Sequence, residues 1–340
     1  MPPVALVTGA TGFVGQHLLP ALLEREWTVR ACGRRPRPDS LPDAVDYRSG
    51  VDLAEGTGLD GVLDGVTHLF HLAGASSTFS DEPEMRRVNI EGTENLLDAA
   101  SDAPMERVLY MSTTAVYGEE VQLPQPVPED VEPHPSRGYG KTKWEAEQVL
   151  WRRVDKGLPG VVVRPVSVYG PGAVKLLGSA ILDTSVERYM GLSELVVHRE
   201  PVEQRLVHVA DVVGACLHLA EHDEAVGRAF NVVDPNYPTS HGVADILADQ
   251  FGMKKVLDDD PDAGPTFEER KAAYEQMRSE GMTDDIVLSE DRLKFMRKSN
   301  RNNRVSIDAL LDTGYELKET DLADATARSV SWYRDHRWIL

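Results

Sequence analysis

The sequence predicts an α/β fold, a doubly wound parallel sheet with a smaller C-terminal lobe. Short, nearly continuous apolar runs alternate with segments of helical spacing through the first half of the chain. The first of these runs leads straight into a glycine-rich turn. At 340 residues the chain is long enough for one large α/β domain and a lobe, and short for three domains.

The runs "VALVTG" (4–9), "TVRAC" (28–32), "THLFHLA" (67–73), "RVLYMST" (107–113) and "GVVVRPV" (160–166) read as central strands. They are apolar throughout because a parallel sheet is covered on both faces. Between them "VGQHLLPALLERE" and "NIEGTENLLDAAS" place apolar residues at helical spacing. A further helix, "DVVGACLHLAEHD", precedes one more strand, "RAFNVV" (228–233). This alternation is the pattern of a parallel sheet wound by crossover helices. The sheet domain is expected to take in residues 1–170 and about 205–233, leaving about 171–204 and 234–340 for the lobe. Within the lobe, "DDDPDAG" reads as a loop and "FEERKAAYEQMRSEG" (267–281) as a helix, either a lid or, the preferred reading from its polarity, a solvated excursion. Near the end of the chain "SWYRDHRW" is expected to dock a terminal helix.

A net charge of −20 argues against nucleic acid or an anionic membrane as partner, since either is repelled over a Debye length of roughly 8 Å. "RRPR" (34–37) is the one short basic cluster. No apolar run approaches the roughly 20 residues that span a bilayer, and "MPPVALVTGA" lacks the pattern of a secretory signal. A cytoplasmic protein is expected. Cys32 and Cys216 stand far apart with no metal-spaced neighbours, so neither a disulfide framework nor a metal site is expected.

"TGATGFVG" (8–15) follows the first strand and opens a helix. Gly9, Gly12 and Gly15 suit a tight turn, close approach of backbone to a pyrophosphate, and close packing of helix on strand. The helix N-terminus presents free N–H groups to phosphate. At the end of the second strand, where NAD binding calls for an acid, stand Arg34 and Arg35. Their guanidinium groups suit a 2′-phosphate, favouring NADP with NAD possible; as surface charges they would do nothing of the kind.

In "YGKTK" (139–143), Tyr139 and Lys143 share one helix face about 5–6 Å apart at Cβ. An ammonium beside a phenol lowers the phenol pKa from about 10 and makes it a usable acid or base near neutrality. The same spacing is also common on solvated surface helices, and spacing alone leaves both readings open.

Further motifs narrow the choice. With "HLAG" (71–74), "NIEGT" (89–93), "YMSTTAVYG" (110–118), "RPVSVYGPG" (164–172) and "RLVHVADVVGA" (205–215), the chain resembles the extended short-chain dehydrogenases/reductases, the NAD-dependent epimerase/dehydratase family. The resemblance is close over about 1–235 and loose beyond. It implies a Rossmann-type sheet with a substrate-binding lobe, and a Tyr139 acid/base tuned by Lys143, which also bonds the nicotinamide ribose. It also implies that Thr113 bonds the substrate oxygen and that Asn89 assists the proton path. Cofactor contacts are implied at Gly9, Thr11, Gly12, Phe13, Val14 and Gly15, at Arg34 and Arg35, at Asp52, which would meet the adenine, and at Leu53. Leu72, Ala73, Gly74, Ser112, Tyr139, Lys143, Pro165 and Val168 complete that surface. Substrate contacts are implied at Thr113, Thr114, Ser167 and Arg205.

Sugar-nucleotide 4,6-dehydratases carry an Asp-Glu pair where this chain has Thr114 and Ala115, which disfavours dehydration. The arginine pair favours a reductase interconverting a secondary alcohol and a ketone by hydride transfer. The alternatives are a nucleotide-sugar epimerase with tightly bound NAD and a non-catalytic NADP-binding redox sensor. The substrate would be a small carbonyl or alcohol, or a nucleotide sugar. A homodimer through the helices bearing Asn89 and Tyr139 is implied by family, with Trp144 facing the partner. His71 and His208 read as packing and hydrogen-bonding residues. Glu119, Glu120, Glu129, Asp130 and Glu132 read as solvated loop charges.

Overall fold

A computed structural model describes the chain except residues 1, 77–79, 102, 119–122, 261–262, 284–287, 294–295 and 297–303. Two compact units divide it. The first comprises Met1–Val166, Ala210–Val233 and Asn302–Glu316, and the second Ser167–Val209, Asp234–Arg301 and Leu317–Leu340.

The first unit is built on β1 (Val4–Thr8), β2 (Thr28–Gly33), β3 (Asp46–Ser49), β4 (His68–His71), β5 (Arg107–Met111), β6 (Gly160–Pro165) and β10 (Ala229–Val232). They form one seven-stranded sheet in the order β10-β6-β5-β4-β1-β2-β3. All neighbouring pairs are parallel. This is the expected doubly wound, Rossmann-type α/β fold. The order reverses between β1 and β4, so the chain leaves their carboxyl ends in opposite directions and opens a crevice there. Strand β3, "DYRS", was not foreseen. Its residues are exposed or half-buried, as an edge strand permits, and present no apolar run.

Helices cover both faces because alternate strand residues point to opposite sides. On one face Leu6, Leu69, Val108, Tyr110 and Val162 pack with α3 (Gly92–Ala100) through Leu96, Leu97 and Ala100. The same cluster takes in Ala146, Val149 and Leu150 of α4 (Gly138–Val154). The opposite face of β1, Ala5 and Val7, is equally buried, and α1 (Phe13–Glu24), which packs on β1 and β2, buries Leu18, Leu19 and Leu22. Each such leucine contributes about 1.5–3 kcal/mol.

The second unit holds two parallel strand pairs, β7 (Ser167–Tyr169) with β9 (Leu206–His208) and β8 (Glu194–His198) with β11 (Lys254–Asp258). Its core joins α5 (Leu177–Tyr189), α7 (Ser240–Phe251), α8 (Phe267–Ser279) and the terminal helix Leu322–Asp335. Tyr333 of that helix donates a hydrogen bond to Ala173 O at 2.6 Å. The preferred reading of α8 as a solvated excursion is overturned. A capping box between Thr266 and Glu269 starts the helix, and Arg270, Tyr274 and Met277 form a buried face at i, i+4 and i+7. Arg270, 1% exposed, pairs with the equally buried Asp183 at 2.8 Å. An arginine at the head of the buried face is what made the helix read as polar all round. Burial pushes the Asp183 carboxyl up to about 6 despite that pairing.

Candidate active site

The turn between β1 and α1 is closely constrained. Gly9 has φ +68, and a Cβ there would lie 2.6 Å from Ala73 N, on the segment after β4. A Cβ on Gly15 would lie 2.4 Å from Gly9 O. Gly12 N donates to Gly9 O at 2.9 Å, and Gly12 caps α1 without a side chain. Thr11 is exposed, while Phe13 and Val14 are half-buried in the first helical turn. The result is a side-chain-free cradle at a helix N-terminus, which suits a dinucleotide pyrophosphate.

Past β2, Arg34 and Arg35 are exposed, and neither side chain has a hydrogen bond or ion pair among the described residues. Nearby arginines are engaged: Arg30 binds Asp46 at 2.9 Å, and Arg37 donates to Val45 O at 2.7 Å. Asp52 Oδ1 accepts from Ala54 N at 3.0 Å, capping the turn that carries half-buried Leu53.

Beyond β4, Leu72 N donates to Thr8 O at 3.3 Å and Ala73 N to Thr8 Oγ1 at 3.3 Å. His71 is buried with Nδ1 2.7 Å from Thr8 Oγ1 and Nε2 2.9 Å from Thr93 Oγ1. Thr93 spends its one hydroxyl proton on Asn89 O at 2.6 Å. His71 Nε2 therefore donates to Thr93, and Nδ1 accepts from Thr8. The ring is neutral, in keeping with burial and then Lys143 depressing its pKa to about 3. His71 thus ties the β1 and β4 ends to Asn89, the hydrogen-bonding part expected of it.

Asn89 lies in a π-helical turn, Arg87–Glu91, and is 1% exposed. Its amide donates to Ala75 O at 3.0 Å and to Thr142 Oγ1 at 2.9 Å, and its Oδ1 accepts from Ala75 N at 2.8 Å. Thr142 in turn donates to Tyr139 O at 3.0 Å. Asn89 therefore holds the first turn of α4 through its backbone.

At the end of β5, Ser112 is buried and donates to Glu147 Oε1. Thr113 caps a short 3-10 turn, Thr114–Tyr117, accepting from Ala115 N at 3.2 Å. Thr113 and Thr114 are both half-buried. Helix α4 docks on this turn at Gly140, where a Cβ would lie 2.4 Å from Ala115 O. Tyr139 is thereby set beside the Thr113 turn. Lys143 Nζ sits 4.1 Å from the centre of the Tyr110 ring, and a Cβ on Gly74 would come within 3.6 Å of it. One carboxyl edge of the sheet thus brings together Gly74, Asn89, Thr113, Tyr139 and Lys143.

The electrostatics differ from the expectation for the pair. Burial pushes the half-buried Tyr139 phenol up to about 12, with no lowering by Lys143. Burial lowers Lys143 to about 7, opposed by Glu147. A lysine taken out of water loses its charge near neutrality and cannot hold a phenolate beside it.

Ser167 and Val168 lie half-buried on β7, following Pro165, which ends β6; Arg205, 8% exposed, directly precedes β9. Ser167 pairs with Leu206 and Val168 with Val207 across β7 and β9. Ser167, Val168 and Arg205 belong to the second unit, and Pro165 to the first.

A buried polar network went unforeseen. Glu147, 0% exposed, receives Arg164 Nη2 at 2.6 Å and Nε at 3.1 Å. Arg164 Nη1 donates to Tyr117 Oη at 3.0 Å, and Tyr117 donates to Asn231 Oδ1 at 2.9 Å. Asn231 N donates to Glu129 at 2.9 Å. Glu129 is therefore not a solvated loop charge: burial raises its carboxyl pKa. Asp130 and Glu132 are exposed, whereas Glu119 and Glu120 lie outside the described residues. The signal available in the sequence was the spacing of Tyr139, Lys143 and Glu147, which puts all three on one face of α4.

Among the described residues no helix is long and apolar enough to cross a membrane, and no cluster of His, Cys, Asp or Glu could hold a metal. Residues 5–232 match the family described as "NAD dependent epimerase/dehydratase family". The chain is 32% identical over 189 residues to the 4-hydroxy-2-methyl-3-oxo-4-farnesyl-3,4-dihydroquinoline-1-oxide ketoreductase of Stigmatella aurantiaca, covering 54% of this chain and 55% of that protein. It is 28% identical to the GDP-6-deoxy-D-mannose reductase of Pseudomonas aeruginosa, over 78% of this chain and 86% of that one. The chain thus spans about half the length of the first relative and most of the second. Among solved structures, the UDP-glucose 4-epimerase of Thermotoga maritima superposes with TM-score 0.75 at 22% identity, over 98% of this chain and 99% of that one. With the fold, the glycine cradle and a family match over 5–232 in agreement, the chain belongs to the NAD-dependent epimerase/dehydratase family, the extended NAD(P)-dependent short-chain dehydrogenases/reductases.

Proposed function

We propose that this chain is an NADP-preferring ketoreductase or alcohol dehydrogenase, interconverting a ketone and a secondary alcohol by hydride transfer with Tyr139 as acid. Its first unit would be the dinucleotide-binding domain and its second the substrate-binding lobe. The observation that carries the reading is the gathering of Tyr139, Lys143, Asn89 and Thr113 at the carboxyl edge of the sheet, in the unit that carries the glycine cradle.

The Gly9, Gly12 and Gly15 turn would hold the pyrophosphate, and Arg34 and Arg35 the 2′-phosphate. Bound there, the nicotinamide supplies the hydride. Thr113 Oγ1 and the Tyr139 hydroxyl donate to the substrate oxygen, stabilising the charge that develops on it. With its pKa near 12, the phenol is protonated at neutrality and hands its proton to an oxygen far more basic than itself. Lys143, titrating near 7, is poised to return a proton to the site. Asn89 keeps the first turn of α4 in register through Thr142.

Relatives named as a ketoreductase and as a sugar-nucleotide reductase support net reduction of a carbonyl or a nucleotide sugar. A buried arginine before β9, Arg205, favours the second reading, a nucleotide-sugar epimerase, because a buried guanidinium suits a diphosphate. We also propose a homodimer through the helices bearing Asn89 and Tyr139, with half-buried Trp144 at the interface. A cytoplasmic location is supported by Cys32 and Cys216 being free thiols.

The test is to incubate the protein with NADPH or NADH against a panel of ketones and sugar nucleotides. Net loss of the nicotinamide absorbance marks a reductase, whereas inverted product without net loss marks an epimerase. Tyr139→Phe should lower turnover on the order of 10²–10⁴-fold and leave cofactor affinity within a few-fold. Equal loss of both would refute the assigned role.

A further inference from the structure

Glu147 stands one helical turn beyond Lys143 on α4, at a position that the proposed proton chemistry does not use. It is 0% exposed, and its two oxygens are fully engaged by Arg164 of β6 and Ser112 at the end of β5. Burying such a pair brings little stability, since well-packed apolar residues serve as well or better. What the pair does is bind three elements at one point. Ser112 is the residue before Thr113, and Lys143 and Tyr139 lie one and two turns back along α4. Lys143 is 2% exposed, rests on the Tyr110 ring at 4.1 Å, and has no ion pair among the described residues.

We propose that Glu147, gripped by Arg164 and Ser112, is a positioning residue that favours the charged form of the buried Lys143 and locks α4 to the β5 end carrying Thr113. The direction of its electrostatic effect agrees, because Glu147 is what opposes the loss of charge that burial imposes on Lys143. The groups facing Lys143 leave a clear window for the test. His71 from β4 titrates near 3, and Tyr110 from β5 well above the ordinary phenol value. On α4 itself Tyr139 titrates near 12 and Glu147 is tied to Arg164. Between pH 5 and 9, Lys143 is the group in this cluster that changes charge.

The experiment follows Lys143 by NMR of lysine-labelled full chain without added ligand, its signal assigned by loss in Lys143→Met. Glu147→Gln alone strands a buried arginine, so the decisive protein is the double variant Glu147→Gln/Arg164→Met, which removes both charges together. The inference expects Lys143 to titrate lower in the folded double variant, by less than the roughly 1–3 pH units that a lone opposite charge is worth, because the Arg164 cation leaves with the carboxylate. It also expects the high-pH limb of kcat/KM to move down by the same amount. A folded double variant whose Lys143 titrates where the wild type does overturns it. The kinetic part rests on the proposed role of Lys143 in the reaction, and the NMR part does not. A moved titration with an unmoved rate limb would support the inference and count against that role.

Discussion

Gly140→Ala tests whether the docking of α4 sets the acid. A Cβ on Gly140 would stand 2.4 Å from Ala115 O, against 3.4 Å for the short end of ordinary contact, so helix and turn must part by about 1 Å. The atom met is backbone, held by the 3-10 turn that Thr113 caps, and it has no side-chain freedom with which to yield. Helix propensity pulls the other way, since alanine is preferred over glycine by about 1 kcal/mol in a helix. Overpacking costs about 1–3 kcal/mol, so the net change in stability is small, from neutral to about 2 kcal/mol destabilising. Activity should suffer far more, because a misplacement of about 1 Å is worth on the order of 10²-fold. The assay is kcat/KM on the best ketone found, beside thermal unfolding and NADPH affinity. The expected pattern is a large fall in kcat/KM, a shift of a few degrees at most in Tm, and unchanged cofactor binding. Full activity with a raised Tm would refute the reasoning, for it would mean that the contact at Ala115 does not position Tyr139.

Two further outcomes follow from the same residues. Arg34→Asp should cost about 1.5–3 kcal/mol of charge-assisted bonding, on the order of ten- to a hundred-fold in NADP affinity, and improve the relative binding of NAD. An unchanged ratio of the two dissociation constants would contradict the placing of the 2′-phosphate there. Lys143, lowered in the fold from 10.5 to about 7, binds fewer protons folded than unfolded between those values. Stability must then rise with pH through that window. Buried Cys32, Cys216 and Tyr139, all raised, pull stability down at higher pH, so the clean interval is pH 7 to 9. Over it the wild type should gain about 2–3 kcal/mol relative to Lys143→Met, read by denaturant unfolding. A constant difference between the two proteins would mean that Lys143 is not buried as a titrating group.

The strands of the sheet and the glycine turn were legible because each is governed by local chemistry. A strand covered on both faces must be apolar along its length, and a turn that passes against Ala73 must carry Gly9. Edge strand β3 obeys neither rule and was missed. So was the buried face of α8, since the residue that buries most there is Arg270, whose partner Asp183 stands far away in the chain. The Glu147–Arg164 pair was hidden for the same reason: its two halves stand on different elements, and only the fold shows that one answers the other. The motifs pointed to Tyr139 and Lys143, but the direction of their tuning depends on burial, which spacing does not reveal.

That direction bears on which reaction the site serves. Had Lys143 stayed fully charged and the phenol been lowered towards neutrality, Tyr139 could accept and donate protons with equal ease, as an epimerase requires within each turnover. The site instead raises the phenol to about 12 and brings the lysine to about 7. A phenol of that kind is protonated at working pH, so it is in the form that gives a proton to a developing alkoxide and not in the form that takes one from an alcohol. A lysine near 7 is the group able to restore that proton at working pH. The asymmetry supports the proposed carbonyl reduction, in agreement with Arg34 and Arg35 having no partner among the described residues, since a reductase draws on the reduced NADP pool. It also assigns Glu147 its importance: with that carboxylate gone, Lys143 would be neutral at pH 7 and Tyr139 would have no nearby cation to be reprotonated from.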